Sequence, residues 1–169
     1  MANPVVGIIM GSKSDLDVMR EAAKTLDEFG VANEVRVLSA HRTPAETTDY
    51  LKTAVARGLK IIIAGAGGSA HLAGVAAAHS YLPVLSIPIK RDGHDHEALF
   101  SNIMMPPGVP LAVMPENGGK NTGLLAVAIL ALSDKALAKK YQSYRQAQTD
   151  AVKEADRKLQ AEGWQNSQL

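Results

Sequence analysis

The sequence predicts a three-layer α/β sandwich: a parallel five-stranded sheet with helices on both faces, followed by a long C-terminal helix. Short apolar runs alternate with helix-like segments along nearly all of the 169 residues. The runs are mostly apolar throughout, which is typical of strands that are buried on both faces of a parallel sheet. The last segment, residues 133–163, has helical spacing and is longer than the core of such a domain can cover.

The first strand and helix are predicted from an apolar run that ends at a glycine. Residues 4–11 (PVVGIIMG) form the strand, and residues 12–30 carry apolar side chains at helical spacing between a Ser/Asp start and Gly30. Residues 32–39 (ANEVRVLS) alternate between apolar and polar side chains and are rich in valine, so they are predicted to be the second strand.

The next three elements follow from turn residues and composition. Residues 43–58 are predicted to be a helix, with Thr43 as N-cap and Pro44 at the first helical position. Residues 60–68 (KIIIAGAGG) form a third strand that runs into glycines, and the Ala-rich residues 69–80 form a helix.

The remaining elements of the domain continue the alternation. Residues 83–89 are the fourth predicted strand, 97–105 a short helix and 109–114 the fifth strand. Residues 119–132 are apolar on nearly all sides and are predicted to be a buried helix. This order predicts a flavodoxin-like topology, in which ligands bind at the carboxyl ends of the strands.

The last helix divides the chain into a single α/β domain, residues 1–133, and a helical extension, residues 134–169. A narrow apolar stripe broken by Gln148 is typical of a helix that lies against a partner subunit. A solvated, frayed tail is the alternative. The stripe consists of Leu137, Tyr141, Tyr144, Ala151, Ala155 and Leu159.

The composition excludes several classes of function. A formal net charge of +1 argues against a protein that coats nucleic acid, and 4% aromatic residues argue against stacking platforms for bases. The absence of cysteine excludes disulfides and thiolate chemistry and fits a reducing compartment. Neither a signal-like N-terminus nor an apolar run of about 18 residues is present, so we expect a cytoplasmic protein without a membrane partner.

Three polar or Gly-rich junctions follow predicted strands: residues 11–15 (GSKSD), 39–44 (SAHRTP) and 64–71 (AGAGGSAH). The carboxyl ends of parallel strands meet at one edge of the sheet, so these junctions should converge on one crevice. Each junction also has a purely structural interpretation, which its own residues leave open.

The first junction is suited to an anion and a sugar. Gly11 permits a tight turn, after which Ser12, Ser14 and free N–H groups at the helix start could bind a phosphate. Asp15 would repel a phosphate and is better suited to accept hydrogen bonds from sugar hydroxyls. The alternative is ordinary helix capping.

The glycine junction matches the spacing G-x-G-x-x-[GA] at Gly65, Gly67 and Ala70. It follows the third strand rather than the first, and no acid lies about 20 residues further on, so a dinucleotide fingerprint is excluded. A backbone of this kind lets a flat ligand approach closely. His71 could add a polar contact, or could be an exposed residue at a helix start.

The junction SAHRTP places two cation-capable side chains next to each other. Arg42 offers a rigid set of donors that suits phosphate, and His41 can transfer a proton near neutral pH. A solvated turn is the alternative. Residues 91–98 (RDGHDHEA) also contain candidate metal ligands in His94, Asp95, His96 and Glu97, but they read as an exposed loop, and no metal is predicted.

Taken together, MGSKSD, SAHRTP and AGAGGSAHLAG, in this order and at these intervals, closely resemble the PurE family of purine biosynthesis. MPPGVP (105–110) and NGGKNTGLLAVAIL (117–130) resemble its C-terminal half, so the likeness covers nearly the whole chain. It implies a cofactor-free homo-octamer that acts on a small ribonucleotide. One class moves a carboxylate from the exocyclic nitrogen of N5-carboxyaminoimidazole ribonucleotide to ring carbon C4. A second class carboxylates aminoimidazole ribonucleotide directly with CO2.

The motifs GAGGSAHL and AHRTP are similar to those of the first class, the mutases. A direct carboxylase and a non-catalytic nucleotide-binding module on the same fold remain as alternatives. Ala73 stands where the mutases usually have proline. Residues 90–104 differ from the sequence that is usual in the family, so no contact is assigned to that segment.

The resemblance implies a role for each matched residue. His41 would be the general acid and base, and Ser12, Asp15 and Arg42 would bind the ribose phosphate. Gly11, Ser14, Ser39 and Ala40 would lie beside them. The imidazole and carboxylate pocket would be lined by the glycine loop, residues 65–72, through Gly65, Ala66, Gly67, Gly68, Ala70, His71 and Leu72.

Overall fold

The computed structural model describes residues 3–93 and 96–165. The strands are β1 (Val6–Met10), β2 (Asn33–Val37), β3 (Ile61–Gly67), β4 (Val84–Ile89) and β5 (Ala112–Val113). The helices are α1 (Leu16–Phe29), α2 (Pro44–Thr53), α3 (Leu72–His79), α4 (Glu97–Ile103), α5 (Gly119–Ala131) and α6 (Lys135–Glu162).

The five strands form one parallel sheet in the order β2-β1-β3-β4-β5, which confirms the predicted fold class. The chain moves outward from β1 to β2 and then returns past β1 to form β3. In an open α/β sheet, the crevice outside the carboxyl ends of the strands at such a reversal is where ligands bind. The reversal here lies between β1 and β3.

Alternate residues of β3 face opposite layers of the sandwich. Ile62 and Ala64 belong to a buried cluster with Leu51 of α2 and Ala76 of α3. Gly65 faces the other layer, where Met19 of α1 lies over it. Each fully buried Ile or Leu of this core contributes about 1.5–3 kcal/mol of transfer free energy.

Helices α1 and α5 pack closely because α5 carries glycines at the contact. A Cβ on Gly119 would collide with the carbonyl oxygen of Val18, and a Cβ on Gly123 would lie 2.8 Å from Cβ of Thr25. This contact buries one side of α5 only. The prediction that α5 is buried on all sides is therefore wrong for the chain alone: Leu124, Leu125, Ala128 and Ile129 are half-buried.

Several predicted element bounds differ from the structure, and three of these differences have a local explanation. Helix α1 begins at Leu16 because residues 13–15 form a 3₁₀ turn capped by Ser12. Helix α2 ends at Thr53, and turns continue to Gly58, whose φ of 92° a glycine adopts easily. Strand β5 is only two residues long, which is common for an edge strand.

Contacts divide the chain into two compact units, the first ending at Leu130 and the second beginning at Ala131. In the second unit, Asp134 caps α6 by accepting from the N–H groups of Ala136 (2.9 Å) and Leu137 (3.0 Å). Along the predicted stripe, Leu137 is buried, Tyr141 and Tyr144 are half-buried, and the later members are exposed. Among the described residues, no helix combines the length and apolarity that crossing a bilayer requires.

Candidate active site

Four strands of the sheet deliver polar residues to one cavity of about 350 Å³. Gly11 follows β1, Ser39 follows β2, residues 65–72 end β3 and start α3, and Arg91 follows β4. Most predicted site residues line this cavity, together with Ser69 of the predicted glycine loop and with Arg91, which was not predicted. The predicted residues in its wall are Gly11, Ser12, Asp15, Ser39, Ala40, His41, Arg42, Ala66, Gly67, Ala70, His71 and Leu72.

Three predicted site residues do not line the cavity. Ser14 lies beside it, where its hydroxyl donates to Oγ of Ser12 (3.0 Å). Gly65 lies within the sheet, and a Cβ there would collide with Sδ of Met19, so its small size serves packing of α1 on the sheet. Gly68 turns the loop in the left-handed region, with φ of 62°.

The turn after β1 is closed by a reciprocal cap. The Oγ of Ser12 accepts from the N–H of Ser14 (3.3 Å), and the N–H of Ser12 donates to Oδ2 of Asp15 (3.1 Å). This is the capping box that was considered as the structural alternative for this junction. Capping and ligand binding are compatible, because Ser12 and Asp15 also line the cavity.

Asp15 is the buried charge of the site, with a relative exposure of 2%. Burial raises the pKa of this carboxyl, and the nearby Arg91, the N–H of Ser12 and Arg42 offset only part of that increase. A carboxyl with a raised pKa lowers the stability of the folded chain once it is ionised. Such a residue is typical of a functional site.

The turn after β2 is held by Ser39 and Thr43. The Oγ1 of Thr43 accepts from the N–H of Ser39 (2.9 Å) and donates to its carbonyl oxygen (3.2 Å). Thr43 is the N-cap residue of α2, as predicted, but its hydroxyl closes the preceding turn and does not bond an N–H group of the helix. Pro44 does occupy the first helical position, as predicted.

Arg42 joins the ends of β1 and β2. Its Nη2 donates to the carbonyl oxygen of Gly11 (2.6 Å), and its Nε donates to Oγ of Ser39 (3.4 Å). Both acceptors are neutral, so neither cancels the guanidinium charge. That charge faces the cavity, where it suits an anionic ligand.

The two histidines of the site contact each other. Nε2 of His41 lies 3.0 Å from Nδ1 of His71, and the rings meet edge to face with centroids 5.1 Å apart. One hydrogen lies between the two nitrogens when both rings are neutral, so the tautomers of the two rings depend on each other. His71 is an exposed residue at the start of α3, as the structural alternative had it, and it also contacts His41 in the cavity wall.

The segment without assigned contacts, residues 90–104, contributes two residues to this region. Nη2 of Arg91 donates to Oγ of Ser14 (3.1 Å) and forms an ion pair with Asp15. The amide of Asn102, which is buried, donates to the carbonyl oxygen of Ala70 (3.3 Å) and its oxygen accepts from Ser86 (2.7 Å). Residues that directly follow the parallel strands are expected to meet at one edge of the sheet, and Arg91 follows the fourth strand, so the sequence could have indicated it.

The candidate metal ligands are only partly described, because His94 and Asp95 lie outside the described residues. Nδ1 of His96 lies 2.7 Å from Oε2 of Glu116. Within residues 3–93 and 96–165, no group of three or more His, Asp or Glu side chains is placed to hold a metal ion. A larger cavity of about 720 Å³ lies near the start of β4, at the end of the sheet opposite the site cavity.

Comparison with known proteins identifies close relatives. A family model described as AIR carboxylase matches residues 5–151. The N5-carboxyaminoimidazole ribonucleotide mutase of Thermotoga maritima is 44% identical over 162 residues, which cover 95% of each chain. The phosphoribosylaminoimidazole carboxylase of Schizosaccharomyces pombe is 47% identical over 165 residues, 97% of this chain but 30% of that protein. The crystal structure of Treponema denticola PurE superimposes with a TM-score of 0.86 at 32% identity and covers 92% of this chain and 98% of that one.

Proposed function

This chain belongs to the AIR carboxylase family, the PurE proteins, and from that premise we propose that it is an N5-carboxyaminoimidazole ribonucleotide mutase of purine biosynthesis. It converts that substrate to 4-carboxy-5-aminoimidazole ribonucleotide. The observation that carries the proposal is the position of His41. A group that can donate and accept a proton faces a small cavity, next to a guanidinium that suits a phosphate.

The chemistry requires one proton to be given and one to be taken. Protonation of the carbamate nitrogen lets its bond to carbon break and releases CO2. The aminoimidazole that results is an enamine, and its C4 attacks the CO2 to form the new carbon–carbon bond. The hydrogen on C4 then leaves as a proton. His41 gives the first proton and takes the last, so the enzyme ends the cycle in its starting state.

His71 supports this exchange through its contact with His41. A hydrogen on Nε2 of His41 can be donated to Nδ1 of His71, and this contact fixes the orientation of the His41 ring in the cavity wall. No step requires ATP, biotin or a metal ion, and we propose that the enzyme uses no cofactor.

The remaining residues position the nucleotide. Arg42 and Ser12 bind the phosphate, Ser14 lies nearby, and Asp15 accepts from the sugar hydroxyls because its charge would repel the phosphate. Ser39 and Ala40 flank them at the end of β2. Ala66, Gly67 and residues 69–72 form the wall beside the imidazole. The small side chains of Ala66, Gly67 and Ala70 suit a pocket that must retain CO2 between the two bond changes.

The assembly and its location are part of the proposal. We infer a homo-octamer in the cytoplasm, in which residues 134–169 pack on a neighbouring subunit. The exposed apolar side chains of α6 support the packing of this extension: Val152 is 70% exposed and Leu159 39%. These two side chains lie about two turns apart on one helix, and exposed apolar side chains so arranged are typical of a surface that a partner covers.

Removing the residues after Ser133 should reduce the oligomer to smaller species. The extension supplies the proposed contact between subunits, and the separation of the chain into two units suggests that the first unit can remain folded without it. Light scattering measures the mass per particle, and circular dichroism checks the fold. A truncated protein that keeps the subunit number of the full chain would refute the packing proposal.

The mutase activity itself is tested by isotope labelling. A substrate labelled at the carbamate carbon should give product that keeps most of the label, even in unlabelled bicarbonate, because recapture in a closed pocket outruns escape of CO2. A reaction without enzyme measures spontaneous decarboxylation. Full dilution of the label, together with efficient turnover of aminoimidazole ribonucleotide at low bicarbonate, would identify a direct carboxylase. Binding without turnover would identify a non-catalytic module.

A further inference from the structure

Arg91 crosses from β4 to the turn after β1, within the site. It starts just beyond Ile89 and ends at Ser14 and Asp15. Its side chain passes over Gly67, where a Cβ would lie 2.7 Å from Nε of Arg91 and 3.1 Å from its Cγ. Glycine at position 67 therefore leaves the space that the arginine occupies.

The backbone next to Arg91 is fixed by the loop after β5. The N–H of Lys90 donates to Oδ1 of Asn117 (3.0 Å), and the N–H of Asn117 donates to the carbonyl oxygen of Pro88 (3.0 Å). Two hydrogen bonds on either side of the strand end hold the start of this segment. The direction in which Arg91 leaves β4 is thus set by the sheet and the Asn117 loop together.

The two arginines of the site differ in the charge of their partners. Among the contacts of the described residues, Arg42 is held by the neutral oxygens of Gly11 and Ser39, whereas Arg91 is paired with the carboxylate of Asp15. Arg42 also lies near Asp15, but its guanidinium bonds only neutral oxygens, so most of its charge remains available to a phosphate. Arg91 shares its charge with the Asp15 carboxylate that it bonds, so it is better suited to a neutral ligand.

A sugar hydroxyl matches the Arg91–Asp15 pair chemically. Each hydroxyl both donates and accepts a hydrogen bond. A carboxylate can accept from the hydroxyl while the guanidinium, with five N–H donors in one plane, holds that carboxylate and donates to the hydroxyl oxygen. Asp15 and Arg91 both line the cavity, so a ligand there meets the donor and the acceptor side by side.

We propose that Arg91 is a specificity-determining residue that, paired with Asp15, recognises the adjacent 2′- and 3′-hydroxyls of the substrate ribose. The inference rests on the proposed function, since it takes the ligand to be a ribonucleotide. It assigns a role to the segment of residues 90–104, in which the sequence differs from the usual wording of the family.

Calorimetric titration of the full-length protein can test this. The ligands are aminoimidazole ribonucleotide and its 2′-deoxy and 3′-deoxy analogues, which keep the phosphate. The wild-type protein should prefer the ribonucleotide over at least one analogue by about tenfold or more, because hydrogen bonds to charged groups are strong. Arg91→Ala should reduce that preference to about threefold or less, and Arg91→Lys should restore part of it.

Two controls separate this effect from a loss of charge or fold. Lys90→Ala removes the same charge from the exposed neighbouring side chain and should leave both affinity and preference unchanged. Arg42→Ala should weaken all three ligands by a similar factor and keep the preference. Thermal unfolding of each variant establishes that the titrated protein is folded.

Each remaining outcome overturns one proposal. If Arg91→Ala weakens all three ligands equally, or keeps the wild-type preference, Arg91 does not recognise the hydroxyls. The same conclusion follows if the wild-type protein binds the ribonucleotide without any preference. If the wild-type protein does not bind the ribonucleotide at all, the proposed function itself fails. If Arg91→Ala does not fold, Arg91→Lys provides the test. Its single ammonium group should give a smaller preference for the ribonucleotide over the deoxy analogues than wild type has.

Discussion

Replacement of His41 by asparagine should lower kcat by about 10²-fold or more. The affinity for the nucleotide should stay within about tenfold of wild type, a change of about 1.4 kcal/mol or less in binding free energy. Asparagine keeps a polar side chain at the cavity wall but cannot transfer a proton near neutral pH. The separation is expected because His41 is proposed to move protons, whereas Arg42 and Ser12 bind the phosphate. Calorimetry and a turnover assay measure the two quantities independently.

The matched control for this substitution is His79→Asn. His79 ends α3, is exposed and does not line the site cavity, so its replacement should change neither quantity. Turnover near the wild-type rate in His41→Asn would refute the catalytic assignment. A parallel loss of nucleotide affinity beyond about tenfold would indicate that His41 acts mainly in binding.

Replacement of Arg42 by alanine should act mainly on binding and raise KM. Loss of a charge-assisted contact to the phosphate should cost about 1.5–3 kcal/mol, roughly ten- to 150-fold. The free energy of unfolding should also fall, by less than the loss of binding free energy, because Arg42 joins Gly11 to the turn at Ser39. Steady-state kinetics measure KM and kcat.

Arg20→Ala is the corresponding control. Arg20 is an exposed arginine of α1 that pairs with Asp17 across one turn. Arg20→Ala removes the same charge as Arg42→Ala, but an exposed ion pair of this kind contributes little to stability. An unchanged KM with a lost kcat in Arg42→Ala would mean that the roles of Arg42 and His41 have been exchanged. A KM raised equally in both variants would reflect net charge alone.

Much of the fold follows from short-range patterns in the sequence. The run Ile61–Ile63 predicts a buried strand, and Gly30 and Pro44 mark a helix end and a helix start. Because parallel strands end at one edge of the sheet, those elements also bring three polar junctions together. Local residue preferences and hydrophobic spacing suffice for these conclusions, since each depends on neighbours within one or two turns of chain.

The contacts inside the site depend on residues that are distant in the chain. His41 and His71 are 30 positions apart, and Arg91 and Asp15 are 76 apart, so no local pattern indicates that they meet. Their distances follow from the strand order and from the direction in which each side chain leaves its strand. Gly67 leaves room for Arg91, and Gly65 leaves room for Met19.

The sequence by itself therefore determined the fold class, the family and the edge of the sheet at which the chemistry takes place. Only the tertiary structure decided that His41 and His71 contact each other, that the hydroxyl of the N-cap residue Thr43 closes a turn, and that residues 90–104 supply Arg91 and Asn102. The physical reason is range. Hydrophobic spacing and turn preferences act between near neighbours, whereas hydrogen bonds and ion pairs form between whichever groups packing of the sheet and helices brings within about 3 Å of each other.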